Sequence, residues 1–127
     1  ETRLPILFSE GFRKGRIDLR RFVELTATNP ARIFGLYPRK GTIMVGSDAD
    51  IVIWDPEQHV TLSIDGLHDN MDYTPYEGME IEGWPVTTLS RGQLVWHGGE
   101  VVGKPGAGRL LRRGNPQTAE LLSRLDD

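Results

Sequence analysis

His59, His68 and His97 are the three histidines of the chain, and no cysteine accompanies them. Any zinc site would therefore rest on imidazoles and carboxylates. No two of these histidines stand at i, i+4, the spacing that aims two rings from one helix face at one ion. His68, with Asp69 and Asp72 close by, forms the one mixed set of suitable ligands. Asp and Asn also build turns, because their short side chains bond the backbone two residues on, and a turn is the preferred reading there. Asp48, Asp50 and Asp55 flank the apolar run Ile51–Trp54, where paired carboxylates could exchange protons. Strand-end turns use Asp routinely, and that reading is preferred as well.

Three further patterns imitate sites. Gly103-Lys104-Pro105-Gly106-Ala107-Gly108 is rich enough in glycine to suggest a phosphate loop, yet Pro105 interrupts it and no helix start follows. A turn is expected. Ser9-Glu10-Gly11 has neither the G-x-S-x-G elbow nor a nearby histidine, so Ser9 reads as a loop serine rather than a nucleophile. Tyr73, Tyr76 and Trp84 could stack on a planar ligand, but loop aromatics beside strands are expected to anchor that loop by packing to its own domain or to another subunit. The residues thus offer no catalytic, cofactor-binding or metal-binding group within this chain.

The elements that carry these residues fall into two grammars. Asp18 is a plausible N-cap for a helix with Leu19, Phe22, Val23 and Thr26 on one inward face. Asn29-Pro30 is expected to cap and restart a second short helix bearing Ile33, Phe34 and Leu36, which Gly35 and Pro38 help to end. From Lys40 onward, β-branched runs between turns predict strands at 42–45, 51–54, 86–90, 93–97 and 100–102. Gly46–Ala49 links the first two, Arg91-Gly92 the next pair, and Gly98-Gly99 reads as a two-residue hairpin turn. Residues 67–83 have little periodicity and are expected to form a long ordered excursion. Asn115-Pro116 is expected to cap a last helix carrying Leu121, Leu122 and Leu125.

With 127 residues, the chain has the length of one ordinary domain. A net charge of −3 argues against neutralising many nucleic-acid phosphates, so the basic residues Lys104, Arg109, Arg112 and Arg113 read as solvated surface. No run approaches the roughly 20 apolar residues of a membrane-spanning helix, and no signal-peptide pattern opens the chain. A soluble, cytoplasmic protein with neither nucleic-acid nor membrane partner is expected. The start at Glu1 reads as a cut inside a longer polypeptide.

Taken together, these residues resemble a known family. Thr28-Asn-Pro-Ala-Arg-Ile-Phe-Gly-Leu36, Lys40-Gly-Thr-Ile43, Gly46-Ser-Asp-Ala-Asp-Ile-Val-Ile53 and Asp55-Pro56 resemble the end of an amidohydrolase barrel and its return into a small β domain. Narrower likeness comes from Leu36-Tyr-Pro-Arg-Lys-Gly41, Asp72-Tyr-Thr-Pro-Tyr-Glu-Gly78, Trp84-Pro with Leu89-Ser-Arg-Gly92, and Gly106-Ala-Gly-Arg109. These look like the hydantoinase, dihydropyrimidinase and phenylhydantoinase branch. The opening Glu1-Thr-Arg-Leu-Pro5, with Ser9-Glu-Gly11 and Gly15-Arg-Ile17, is similar to the segment after that branch's substrate-contacting loop.

The resemblance implies an α/β parent, a (β/α)8 barrel with a small composite β-sandwich domain. Residues 1–39 would close the barrel with helices, 40–103 would supply the C-terminal part of the β domain as mainly antiparallel strands, and 104–127 would form a tail and short helix with possible oligomer contacts. It also implies two divalent metal ions, zinc in the usual case, with a carboxylated lysine, and a small cyclic amide substrate opened to an N-carbamoyl amino acid. The ligands would lie upstream, leaving this segment structural, oligomer-forming and catalytically silent, in a homo-oligomer expected to be a tetramer. Alternative readings are a non-catalytic dihydropyrimidinase-related scaffold, an allantoinase-like hydrolase, and a free-standing β domain that binds a partner through residues 67–83.

Overall fold

A computed structural model describes residues 1–118 of the chain. Leu121, Leu122, Leu125 and the last helix expected to carry them lie outside the described residues.

The first helix comes from a segment in which Pro5 stands in the opening turn, where a missing N–H leaves no hydrogen bond unmade. α1 spans Arg3–Ile6 and runs on as a wider, π-type segment, Leu7–Arg13. Ser9 is therefore a buried helical residue, not a loop serine. Its hydroxyl accepts the backbone N–H of Glu82 at 3.2 Å, satisfying a strand donor far away in sequence.

Asp18 caps as its residue type suggests: its carboxylate accepts the N–H of Arg21 at 2.7 Å, ahead of α2, Leu19–Val23. The expected restart at Asn29 does not occur. Helical backbone continues through a π-type segment, Glu24–Thr28, into α3, Asn29–Ile33, and neither Thr28 nor Asn29 makes a side-chain cap. Two reasons are local. Pro30 cannot donate and crowds the carbonyl four residues back, which a widened turn tolerates. The Thr28 hydroxyl is occupied in any case, donating to the Gly41 carbonyl at 2.8 Å. The expected inward face is also only partly realised: Phe22 is buried, whereas Leu19 and Val23 are half exposed, because only the long ring at 22 reaches an aromatic neighbour.

α3 ends where glycine permits it. Gly35 takes φ +66°, its N–H bonds the Arg32 carbonyl, and Leu36 reaches back to Ala31 at 2.8 Å, the paired bonds of a Schellman stop. Phe34 and Leu36 thus lie beyond the helix, and Ile33 and Phe34 are largely exposed.

Four strands form one sheet in the order β1-β2-β3-β4: Ile51–Thr61, Glu80–Ser90, Gln93–His97 and Glu100–Val101. β1 and β2 run antiparallel, since Gly92 beyond β2 bonds Ala49 before β1, while Leu62 beyond β1 bonds Met79 before β2. β2 and β3 pair antiparallel with an irregularity between Thr88 and Leu89, and β3 pairs antiparallel with β4. Arg91 and Gly92, then Gly98 and Gly99, carry the paired positive φ angles of tight hairpin turns.

The segment 42–45 is not a strand. Gly41 and Gly46 bracket it with positive φ, Ser47 N–H closes a turn onto Met44, and Val45 is 101% exposed. Its β-branched composition favours strand only where a ladder partner exists, and none meets it among the described residues. The expected excursion likewise ends early, because Glu80–Gly83 already belong to β2.

The contacts divide the chain into two units, Glu1–Phe22 with Ile53–Val86, and Val23–Val52 with Thr87 onward. In the first, Phe8 is buried among Phe12, Phe22 and Trp54, with ring centroids 5.1, 5.5 and 4.8 Å away. Gly83 makes that packing possible: at φ +94°, a Cβ there would lie 2.4 Å from the Phe8 ring and 2.9 Å from Trp54 Nε1. Leu62 and Ile81, each 1% exposed, complete the apolar interior. In the second unit the helix and Gly41 touch closely, since a Cβ at Gly41 would meet Ala31 Cβ at 2.5 Å and the Ala27 carbonyl at 2.8 Å.

Candidate functional site

A cluster of paired charges gathers in the second unit, where the loop before β1 meets the β2–β3 turn. Lys40 lies between two carboxylates: its ammonium group donates to Asp50 Oδ2 and lies 3.0 Å from Asp48 Oδ2. Arg39 Nε donates to the same Asp48 oxygen at 3.0 Å, and the Asp48 N–H bonds the Arg39 carbonyl at 2.9 Å. Asp50 reaches across the chain, accepting the backbone N–H of Arg91 at 2.8 Å. Gly92 N–H bonds the Ala49 carbonyl at 2.9 Å beside it. The Arg91 guanidinium in turn donates to the Ala107 carbonyl.

Electrostatics decide what this cluster can do. Burial works against the charged form of Lys40, but hydrogen bonds to Asp50 and Asp48 outweigh it and raise its pKa above the ordinary lysine value. Hydrogen bonds from Lys40 and then Arg39 hold Asp48 below the usual carboxylate value. Burial pushes Asp50 upward, and the bonds from Lys40 and the Arg91 amide prevail to lower it. Every shift moves away from neutrality, whereas a proton-transferring group needs a pKa near the working pH. Asp48 and Asp50 are clamp residues: their carboxylates bond Lys40, Arg39 and the Arg91 amide, not the backbone two residues on that a turn would use.

The remaining candidates are dispersed. Asp55 accepts the N–H of Glu57 at 3.0 Å, a local turn bond. His68 bonds Glu1 through both its N–H, at 2.8 Å, and its ring, at 3.1 Å. Asp69 accepts the Met71 N–H at 3.3 Å and Asn70 adopts φ +55°, so the chain bends locally at 69–71. His59 is exposed on β1, and His97 on β3 pairs with Thr87 at 2.9 Å. Among the described residues, no three His, Asp or Glu side chains gather where an ion could sit, so these residues do not fit a metal centre.

Tyr73 is 65% exposed and Tyr76 is also exposed, so neither anchors its loop within the described chain. Polar bonds hold that loop instead, from Glu1 to His68 and from the Ile64 N–H to the Glu77 carboxylate at 2.9 Å. Trp84 is half-buried in β2. Residues 103–108 form a turn with Gly106 at φ +79°, and Lys104, Arg109, Arg112 and Arg113 are exposed. No described helix is long and apolar enough to cross a membrane.

Three partners escaped the sequence reading: Arg39, Lys40 and Arg91 in the clamp. An alternating signal was present, since a basic pair precedes the glycine-bracketed loop and two aspartates follow it, but nothing local pointed to residue 91.

Comparison with known proteins gives this geometry a lineage. The chain is 52% identical over 113 residues to a D-phenylhydantoinase of Escherichia coli O1:K1, covering 89% of this chain and 24% of the relative. It is 50% identical to a D-hydantoinase of Geobacillus stearothermophilus over the same length. Among solved structures, the D-hydantoinase (dihydropyrimidinase) from a Thermus species superposes with a TM-score of 0.88 at 45% identity, covering 92% of this chain and 26% of that one. The dihydropyrimidinase from Brevibacillus agri superposes with a TM-score of 0.84 at 51% identity, covering 87% and 24%. The chain thus spans about a quarter of the length of the relatives it matches. A match to the Amidohydrolase family takes in residues 5–95, running from α1 past the clamp into β3, and on that extent the chain belongs to this family.

Proposed function

We propose that this chain is the C-terminal portion of a metal-dependent hydrolase that opens cyclic amides, dihydropyrimidines or 5-substituted hydantoins, to N-carbamoyl amino acids. The supporting observation is identity of about half over 113 residues to D-phenylhydantoinases and D-hydantoinases. Within that protein, residues 1–39 close the barrel, 40–103 contribute to the small β domain, and 104–127 reach toward neighbouring subunits of a cytoplasmic homotetramer.

In this reading the metal centre, two zinc ions with a carboxylated lysine, is held by residues other than those described here, and no step of hydrolysis is assigned to this chain. Its contribution is mechanical: the clamp from Asp48 and Asp50 to Lys40, Arg39 and Arg91 holds the return from helix to sheet in one geometry. The test offers the 127-residue chain, supplemented with zinc, both hydantoin and dihydrouracil, with the whole protein assayed alongside. The whole protein should open a ring and the chain alone should not. Ring opening by the chain alone overturns the assignment of a silent segment, and a whole protein inert toward both substrates overturns the proposed activity.

A further inference from the structure

Beyond the clamp and independently of the proposed activity, the described end of the chain makes a contact that none of the motifs uses. Residues 112–117 are exposed, yet the chain there returns to the end of α3. Gly114 donates its N–H to the Gly35 carbonyl at 2.8 Å, and Gln117 donates its backbone N–H to the Arg32 carbonyl at 2.9 Å. The Gln117 side-chain amide adds a third bond, to the Tyr37 carbonyl at 3.1 Å. The Arg32 carbonyl already accepts the Gly35 N–H of the helix stop, so Gln117 adds a second bond there, while the Gly35 and Tyr37 carbonyls lie just beyond the helix.

The two backbones approach so closely that only glycine fits: a Cβ at Gly35 would lie 2.2 Å from the Gly114 carbonyl oxygen. The contact is thus built, yet its character differs from that of the buried interior. Hydrogen bonds hold it, no residue from 112 to 117 is buried, and the two sides are about 80 positions apart in sequence. Exposed backbone bonds without apolar cover are the marks of a segment that opens locally while the rest stays folded.

We propose that Arg113–Gln117 is a releasable latch on the C-terminal end of α3, closed in this structure and able to open as a unit without unfolding the β2–β3–β4 sheet. Opening withdraws the Gly114 and Gln117 donors from the carbonyls of Gly35, Arg32 and Tyr37.

Amide hydrogen exchange on the full chain tests this. The Gly114 and Gln117 amides should exchange at matching protection, measurable but lower than that of the β3 amides. Gln117→Ala, which deletes only the side-chain bond at an exposed position, should speed exchange at both amides roughly fivefold while leaving β3 unchanged. Gly35→Ala, which closes the space Gly114 occupies, should reduce both to unprotected exchange. Three results would overturn the proposal. In the first, both amides already exchange as unprotected chain in the parent sequence. In the second, they exchange only with β3. In the third, Gln117→Ala removes protection throughout, which would make the segment part of the cooperative interior.

Discussion

At the scale of single residues, Asp50 shows how little local sequence says about a side chain's task. One carboxylate joins Lys40 to the Arg91 amide, linking a helix exit to a hairpin turn 41 positions beyond Asp50 itself. The pH dependence follows from the direction of the shifts. Asp48 and Asp50 titrate below their unfolded values, so the unfolded chain takes up protons first as pH falls; their contribution stands above about 3.8 and is lost through the lower folded values. Lys40 titrates above 10.5, so its contribution stands below that value and fades as pH rises through the folded one. Asp50→Asn should lower stability by about 1 kcal/mol near neutrality, a figure already reduced for its partial exposure, and flatten the acid limb. Urea midpoints across pH 2–7 measure both effects; an acid limb unchanged in slope would mean the carboxylate carries no such role. A structural role for the aspartates was legible from their place beside a strand, whereas their partners, Arg91 above all, come from chain topology.

At the scale of elements, legibility tracks how far each element depends on its own residues. β3 appears over Gln93–His97, and Gly98-Gly99 makes the turn that its composition requires, because two positive φ angles are a property of those two residues. Gly98→Asn should cost no more than about 0.5 kcal/mol, since Asn enters left-handed backbone readily, while Gly98→Val should cost about 1–2 kcal/mol. Thermal midpoints decide it, and equal losses for the two variants would show that the turn is not held by its φ angles. Ile43 and Val45 illustrate the opposite case, with composition that favours strand and surroundings that provide no ladder. The restart expected at Asn29 failed for a different reason. An N-cap needs non-helical backbone, and Asn29 stands at φ −66° and ψ −44°, already inside continuing helical backbone.

At the scale of the whole molecule, family membership was legible because short motifs spread over nearly the whole chain keep their order, and the division of contacts was not. Each unit combines two stretches separated in sequence, an arrangement set by which strands pair and not by any boundary in composition. Ile43 is 83% and Leu110 95% exposed, and β1 has a strand neighbour on one side only among the described residues. Open strand edges and exposed large apolar side chains promote association. The chain by itself should therefore show an average mass that rises with concentration in sedimentation velocity over the micromolar range. A single-chain mass at every concentration would contradict this.

The packing of Phe8 against Trp54 and beneath Gly83 also bears on synthesis. The ring emerges from the ribosome 75 residues before the glycine that makes room for it. At typical translation rates that interval is roughly 4–15 s, far longer than collapse of an apolar segment. Throughout it Phe8 and its helix must be shielded from other hydrophobic surfaces, so the nascent chain between the appearance of α1 and that of β2 is the stage at which a chaperone would have most to bind.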